Sequence, residues 1–322
     1  MPSFQHQLLK KFLTAAAKPL TRRKPGVGAI RLAMEAGALF QFVPWSVHLE
    51  SFRLDDQLEA EWLRPRQAHP ARVLLYLHGG GYVLGSLNTH RSLVGSLAQR
   101  CGFNTLTINY RKAPDHPFPA ALHDARRAYR WLRQQGYAAA DIVVAGDSAG
   151  GGLALALLLH LRDAGQPLPA AGLGLSPWTD LVLPTTALRR VAREEALLLE
   201  ALQIRTWGPL YARHKSLAHP LLSPAQADLH GLPPLLIQIS TAEVLYDDVR
   251  RFAAKADAAG VAVTLQTFKG LVHWWHLFWR WVPEGRQALD QAAAFVQATF
   301  AAAEPAPVPA RPPGRRRHRP AA

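Results

Sequence analysis

The chain has 322 residues, 49% of them apolar, with a formal net charge of +14. That is enough apolar material for a sizeable core, and no apolar run reaches the roughly 20 residues that a membrane-spanning helix requires. The charge does not mark the body of the protein as a nucleic-acid binder: residues 1–25 carry six basic and no acidic residues, residues 302–322 carry a net +4, and only +4 is left for residues 26–301.

In chain order, residues 1–45 come first. Lys10 and Lys11 interrupt the opening apolar stretch, so it does not read as a signal peptide. Leu8, Leu9, Phe12 and Leu13 fall near one helical face. This predicts an amphipathic helix packed over the body of the protein, in preference to one lying on a membrane. Ser46–Leu54 and Leu58–Leu63 alternate around Asp55-Asp56 and predict an antiparallel hairpin at a sheet edge.

From residue 72 onward, β-type runs alternate with helical segments. Arg72–Leu77, Asn104–Tyr110, Ile142–Ala145, Ala171–Leu175, Leu235–Ile239 and Val263–Phe268 read as strands. Several are continuously apolar, as parallel strands covered on both faces must be. Pro119–Gln135, Ala149–Arg162, Asp247–Ala259 and Glu284–Ala301 read as helices. The alternation predicts an α/β domain with a mostly parallel sheet, spanning residues 46–301. An insertion over about 183–220 is too long for a simple connection. Together with residues 1–45 it is expected to form a helical cap over the carboxyl edge of the sheet, where open α/β sheets bind ligands. Residues 302–322, rich in Pro and Arg, cannot build a core and read as a disordered tail.

Ser148 carries the chemistry. Gly146-Asp147-Ser148-Ala149-Gly150-Gly151 follows a buried apolar strand and precedes an apolar helix. A serine hydroxyl is a weak nucleophile and must be presented and activated. A sharp strand-to-helix turn presents it, and small residues on both sides let strand and helix come close. Upstream, Leu77-His78-Gly79-Gly80-Gly81-Tyr82 follows the first parallel strand. Backbone N–H donors can crowd around a developing oxyanion only where side chains are absent. The expected donors are Gly80, Gly81 and Ala149, with His78 bracing the loop rather than moving protons.

Serine needs a base and the base needs an orienting acid, in the chain order Ser, acid, His. Among the histidines beyond Ser148, His273 is placed best, after the last parallel strand and the Gly270-Leu271-Val272 turn. His276, three residues on in an aromatic stretch, reads as structural. For the acid, Glu243 and Asp247 compete just beyond the strand Leu235–Ile239, with Asp248 third, and spacing alone does not choose. No His-Glu-x-x-His or Cys/His cluster suggests a metal.

Taken together, these residues resemble the hormone-sensitive-lipase-like family of α/β-hydrolase carboxylesterases. The match runs from about residue 70 to 300 and includes His78-Gly79-Gly80-Gly81-Tyr82 with Ser86, Thr89 and His90. It continues through Tyr110-Arg111-Lys112-Ala113-Pro114, Phe118-Pro119-Ala120-Ala121, Asp124, the glycine-flanked Ser148, Ser223-Pro224, Leu232-Pro233-Pro234 and Gly270-Leu271-Val272-His273. The resemblance implies a mixed, mostly parallel eight-stranded sheet with a helical cap. It also implies hydrolysis of carboxylic esters, with short-to-medium acyl chains, and no cofactor. The family's Asp-Pro-Leu-x-Asp is replaced by Glu243-Val244-Leu245-Tyr246-Asp247, which aligns Glu243 with the catalytic acid. Asp115 and Lys112 depart at positions that look structural.

Tyr82 and Trp274 are candidate substrate contacts; the run Trp274, Trp275, Phe278, Trp279 and Trp281 reads first as packing, with Trp274 or Trp275 narrowing the acyl pocket as the alternative. The expected partner is a small-molecule ester; neither a specific nucleic acid nor a transmembrane segment is expected, and a homodimer is compatible with the sequence. The only cysteine, Cys101, cannot form an intrachain disulfide and fits the cytoplasm, although a disulfide-free secreted protein would look the same. Amidase or thioesterase activity, and a non-catalytic receptor on the same fold, are the competing readings.

Overall fold

A computed structural model describes residues 1–23, 25–182 and 204–301. The expected insertion falls partly, and the tail at 302–322 wholly, outside the described residues. Eight strands form one sheet in the order β1-β2-β4-β3-β5-β6-β7-β8. They are β1 (Val47–Asp55), β2 (Leu58–Pro65), β3 (His69–Leu77), β4 (Phe103–Ile108), β5 (Ile142–Asp147), β6 (Ala171–Leu175), β7 (Leu235–Ser240) and β8 (Val263–Phe268). β2 runs antiparallel to β1 and β4, and every other pairing is parallel. The hairpin therefore sits at the edge, as its alternating pattern requires.

The central strands are buried on both faces, and period-two alternation divides their side chains between two cores. Val73, Leu75 and Leu77 of β3 point to one face with Ile142 and Val144 of β5. That face is covered by α4 (Ala120–Gln134), α5 (Ser148–Asp163) and α7 (Tyr246–Ala258). Leu74 and Tyr76 point to the other with Val143, Ala145 and Leu173, under α3 (Leu87–Cys101) and α8 (Pro283–Ala301). Truncating Leu75 to alanine in so closed a layer costs about 2–5 kcal/mol. Among the described residues, no helix is long and apolar enough to cross a membrane.

α3 is the helix that apolar periodicity does not predict. Thr89, His90, Ser92 and Ser96 are buried along it with the apolar residues and blur the period. Its ends are nevertheless marked: Ser86 and Thr89 form a reciprocal capping box, and Gly102 closes it with a positive φ of 70°.

Three helices gather near the carboxyl edge of the sheet: α1 (Phe4–Arg23), α2 (Val27–Ala38) and α6 (Ile204–Ala212). α1 packs on the body, but with a different face from the one expected. Leu13 and Ala17 meet Val272 and Trp274, while Leu8 and Phe12 face outward. Arg31 of α2 donates to the carbonyls of Val83 and Ala113 and pairs with Asp115 at 2.9 Å. Tyr211 of α6 stacks on Tyr82 with ring centroids 3.9 Å apart.

Candidate active site

β5 delivers Ser148 at the first residue of α5, with φ at +49°. That left-handed backbone is strained for any residue with a side chain. It persists because the surroundings leave no alternative. A Cβ on Gly150 would collide with the carbonyl oxygens of Leu77 and His78, so the helix start lies in contact with the end of β3. The strand, the helix and the glycine loop thus meet at one point, with the N-terminus of α5 directed at it.

The structure brings Ser148, His273 and Glu243 together. Nε2 of His273 lies 2.9 Å from Oγ of Ser148, and its Nδ1 lies 2.6 Å from Oε2 of Glu243. All three residues are buried. With Nδ1–H donating to the carboxylate, Nε2 is left as an acceptor for the serine hydroxyl. Asp247 sits one residue into α7 and is half-buried.

Glu243 is surrounded by donors. Its Oε1 accepts from the Ser176 hydroxyl at 2.8 Å, the Ser240 N–H at 2.9 Å and the Trp275 indole at 3.2 Å. Burial pushes the Glu243 carboxyl up, but the hydrogen bond and charge of His273, with the Ser176 and Ser240 donors, overcome it and hold the group below its ordinary range. Ser176 and Ser240 were not legible as site residues, and Trp275 is read from sequence as packing or as narrowing the acyl pocket, not as a donor to Glu243. Ser176 follows β6 with φ at +48°, and that position at a strand's carboxyl end is the signal that could have found it. The Ser240 hydroxyl also accepts the Leu271 N–H at 2.7 Å, which ties the acid's turn to the histidine's loop.

The glycine loop is anchored by Asp147. Its Oδ1 accepts the Tyr76 hydroxyl at 2.8 Å and the Gly79 N–H at 2.9 Å, and its Oδ2 lies 3.2 Å from Nε2 of His90. Burial would raise this carboxyl, but the neighbouring His90 and the Tyr76 hydroxyl bring it below its usual range. Among the described residues, no acceptor takes the N–H of Gly80 or Gly81. Ala149 lies in the first turn of α5, where N–H groups have no acceptor within the helix. His78 is buried and stacked on Tyr110 at 4.2 Å, and it donates from Nδ1 to the Gly79 carbonyl at 2.8 Å. Burial, helped by Lys112 and His90, drives its imidazole well below the ordinary histidine range, so it is neutral.

The aromatic candidates separate. Trp275 is fully buried against Phe268 and His276 and serves Glu243. Trp274 is half-buried, with its ring 5.2 Å from that of His273. Tyr82 is buried between Trp178 and Tyr211. His276 lies 3.1 Å from Oε1 of Gln238, and burial lowers it to about 4, which suits a structural histidine. One aromatic escaped the sequence reading: the Trp207 ring of α6 lies so close over Gly81 that a Cβ there would strike it.

Comparisons with known proteins bear on the fold and the family. Residues 74–277 match the family model described as the alpha/beta hydrolase fold. An acetyl-hydrolase of Streptomyces hygroscopicus is 46% identical over 74% of this chain and 79% of its own length. An esterase of Acinetobacter venetianus is 39% identical over 71% of this chain and 76% of its own. The crystal structure of an esterase from the bacterial hormone-sensitive lipase family is similar with a TM-score of 0.80 and 35% identity, covering 89% of this chain and 98% of that one. The chain therefore belongs to the hormone-sensitive-lipase-like family of α/β-hydrolase carboxylesterases and is a carboxylic ester hydrolase.

Proposed function

We propose that ester cleavage proceeds through an acyl-enzyme on Ser148. His273 takes the Ser148 proton at Nε2 as Oγ attacks the ester carbonyl carbon. Glu243 orients the imidazole and stabilises its charged form. The N–H groups of Gly80, Gly81 and Ala149 receive the oxyanion of the tetrahedral intermediate. His273 then gives its proton to the departing alkoxide, and the alcohol leaves. Water, deprotonated by His273, attacks the acyl carbonyl and returns Ser148 with its proton. The observation that carries this reading is the chain of contacts at 2.9 and 2.6 Å from Ser148 through His273 to Glu243.

Residues 1–45 and the insertion over about 183–220 act as the cap in this reading, with α1, α2 and α6 as its described parts. Preference is for short-to-medium acyl chains. Support comes from Trp207 lying over Gly81, which narrows the space beside the oxyanion loop, and from the relative named acetyl-hydrolase. Trp274 and Tyr82 are assigned to the substrate pocket, Trp274 beside His273 and Tyr82 at the end of the glycine run. The lone, buried Cys101 supports a cytoplasmic setting.

Turnover of p-nitrophenyl acetate, butyrate, octanoate and palmitate tests both parts. The expected result is fastest hydrolysis of acetate or butyrate and loss of all four activities in Ser148→Ala. Fastest turnover of palmitate would overturn the chain-length assignment, and substantial activity in Ser148→Ala would overturn the acyl-enzyme.

A further inference from the structure

We infer that the apolar face formed by α2 and the segment after it is an isologous contact with a second copy of this chain. α2 divides its residues between two sides. Ile30 and Met34 pack on the core, and Ala38, one turn further, is buried. Leu32 and Leu39 lie two turns apart on the opposite side, with the helical backbone kept through Leu39. Beyond α2, Val43 and Pro44 turn inward against Gly95 of α3, where a Cβ would meet both side chains at 3.1 Å. Phe40, Phe42 and Trp45 are left facing outward.

This face differs from the rest of the surface. Leu32, Leu39, Phe40, Phe42 and Trp45 are 60–81% exposed, five of the twelve large apolar side chains exposed among the described residues. All five fall between residues 32 and 45. Apolar surface concentrated in this way marks a contact, whereas exposed apolar residues scattered singly need none. Covering the five side chains buries roughly 500–700 Å² per copy. An isologous pair then buries about 1,000–1,400 Å², at or above the roughly 1,000 Å² that a specific interface must clear.

Charge favours a second copy over other occupants. Arg31 is engaged with Asp115 and with the Val83 and Ala113 carbonyls, and Glu35 accepts from Asn88 at 2.8 Å. From Leu32 to Val47 no exposed residue is charged, and no Lys or Arg occurs from residue 32 to 52. A strongly acidic or basic partner would find nothing in this stretch to pair with. Segments that lie on bilayers carry Lys or Arg among their apolar residues, and this stretch has none. Against its own copy the face opposes no like charges, and an apolar core rich in aromatic residues is what homodimer interfaces use. Arg66, whose guanidinium lies 4.7 Å over the Trp45 ring, borders the face. The inference does not depend on the acyl-enzyme assignment.

The test is analytical ultracentrifugation of the full chain. Expected is a monomer–dimer equilibrium with Kd at or below about 100 µM, as suits an interface of this size. Phe40→Ser/Phe42→Ser/Trp45→Ser should raise Kd at least about tenfold. Phe40→Glu/Phe42→Glu and Phe40→Lys/Phe42→Lys should each be monomeric alone, and an equimolar mixture of the two should dimerise. Hydrolysis of p-nitrophenyl acetate should persist in every variant, which shows that each one folds. The inference is overturned if the parent is monomeric at about 500 µM, if the serine variant dimerises like the parent, or if the mixture stays monomeric. A monomer that binds phosphatidylcholine vesicles through these residues would assign the face to a lipid surface instead. Loss of acetate hydrolysis in the serine variant and in both charge variants would also overturn it, because the face would then pack within the chain.

Discussion

The sheet-borne site and the helices laid over it are built by different means. Ser148, Glu243 and His273 stand at the carboxyl ends of β5, β7 and β8, and the Glu243 carboxylate accepts from four separate groups. By contrast, α1, α2 and α6 meet the body through buried apolar contacts (Leu13 and Ala17 on Val272, Ile30, Trp207 and Tyr211 in the core) and a few polar ties: His6 to Val272, Arg31 to Val83 and Ala113. The first region is tied by many hydrogen bonds, and in the proposed mechanism its residues carry the reaction. The second is held mainly by apolar packing, and in the proposed reading it is the place where substrate choice can vary without disturbing the chemistry.

Substitutions should separate the two regions by the size of their effects. The largest after Ser148 itself is at the acid. Glu243→Gln should lower kcat on p-nitrophenyl butyrate by about 10³–10⁴, because an amide misdirects the imidazole tautomer. Asp247→Asn should stay within about threefold; the reverse ranking would move the acid to Asp247. Next is the pH profile. A protonated imidazole cannot accept the serine proton, and the rate follows the neutral fraction of His273. The rate should therefore fall as pH drops toward 4, well below the usual histidine range. Glu243 is held below its ordinary range, so a fall in rate through the usual histidine range is not its titration; a rate flat to pH 4 would contradict a histidine base.

Smaller effects belong to the periphery. His6→Ala leaves the buried Val272 N–H without its acceptor. It should lower kcat by about three- to tenfold with the same acyl-chain ranking; an unchanged kcat would show that α1 does not position the His273 loop. The smallest effect concerns stability. Burial first, then Asp180 and Asp247, raises the Asp248 carboxyl to about 6 against the pull of Arg251. A carboxyl raised in the folded state stabilises the fold at low pH, and that contribution disappears as pH rises through 6. Asp248→Asn should accordingly raise Tm by a few degrees at pH 8, with the gain shrinking below pH 6. Thermal melts across that range check the sign.

Legibility in the sequence followed the same division. The turn around Ser148 is a local object: an apolar strand, an apolar helix and glycines where Leu77 and His78 allow no Cβ. Its position, the parallel strands and His273 after the last of them were all readable. Glu243 and Asp247 were not separable by spacing, because the donors that surround Glu243, on Ser176, Ser240 and Trp275, lie on three different segments and form no local pattern. α3 was hidden by its buried polar residues. The orientation of α1 was misjudged because its apolar residues serve two faces, and only tertiary contacts reveal that Leu13 points inward and Phe12 outward.

The central claim, that Ser148 is an activated nucleophile, is tested most directly by reaction with a fluorophosphonate followed by peptide mass spectrometry. A single adduct on Ser148 is predicted, formed far more slowly in Glu243→Gln and absent in Ser148→Ala. An unlabelled Ser148 in the active enzyme, or an adduct on another residue that abolishes ester hydrolysis, would contradict the account.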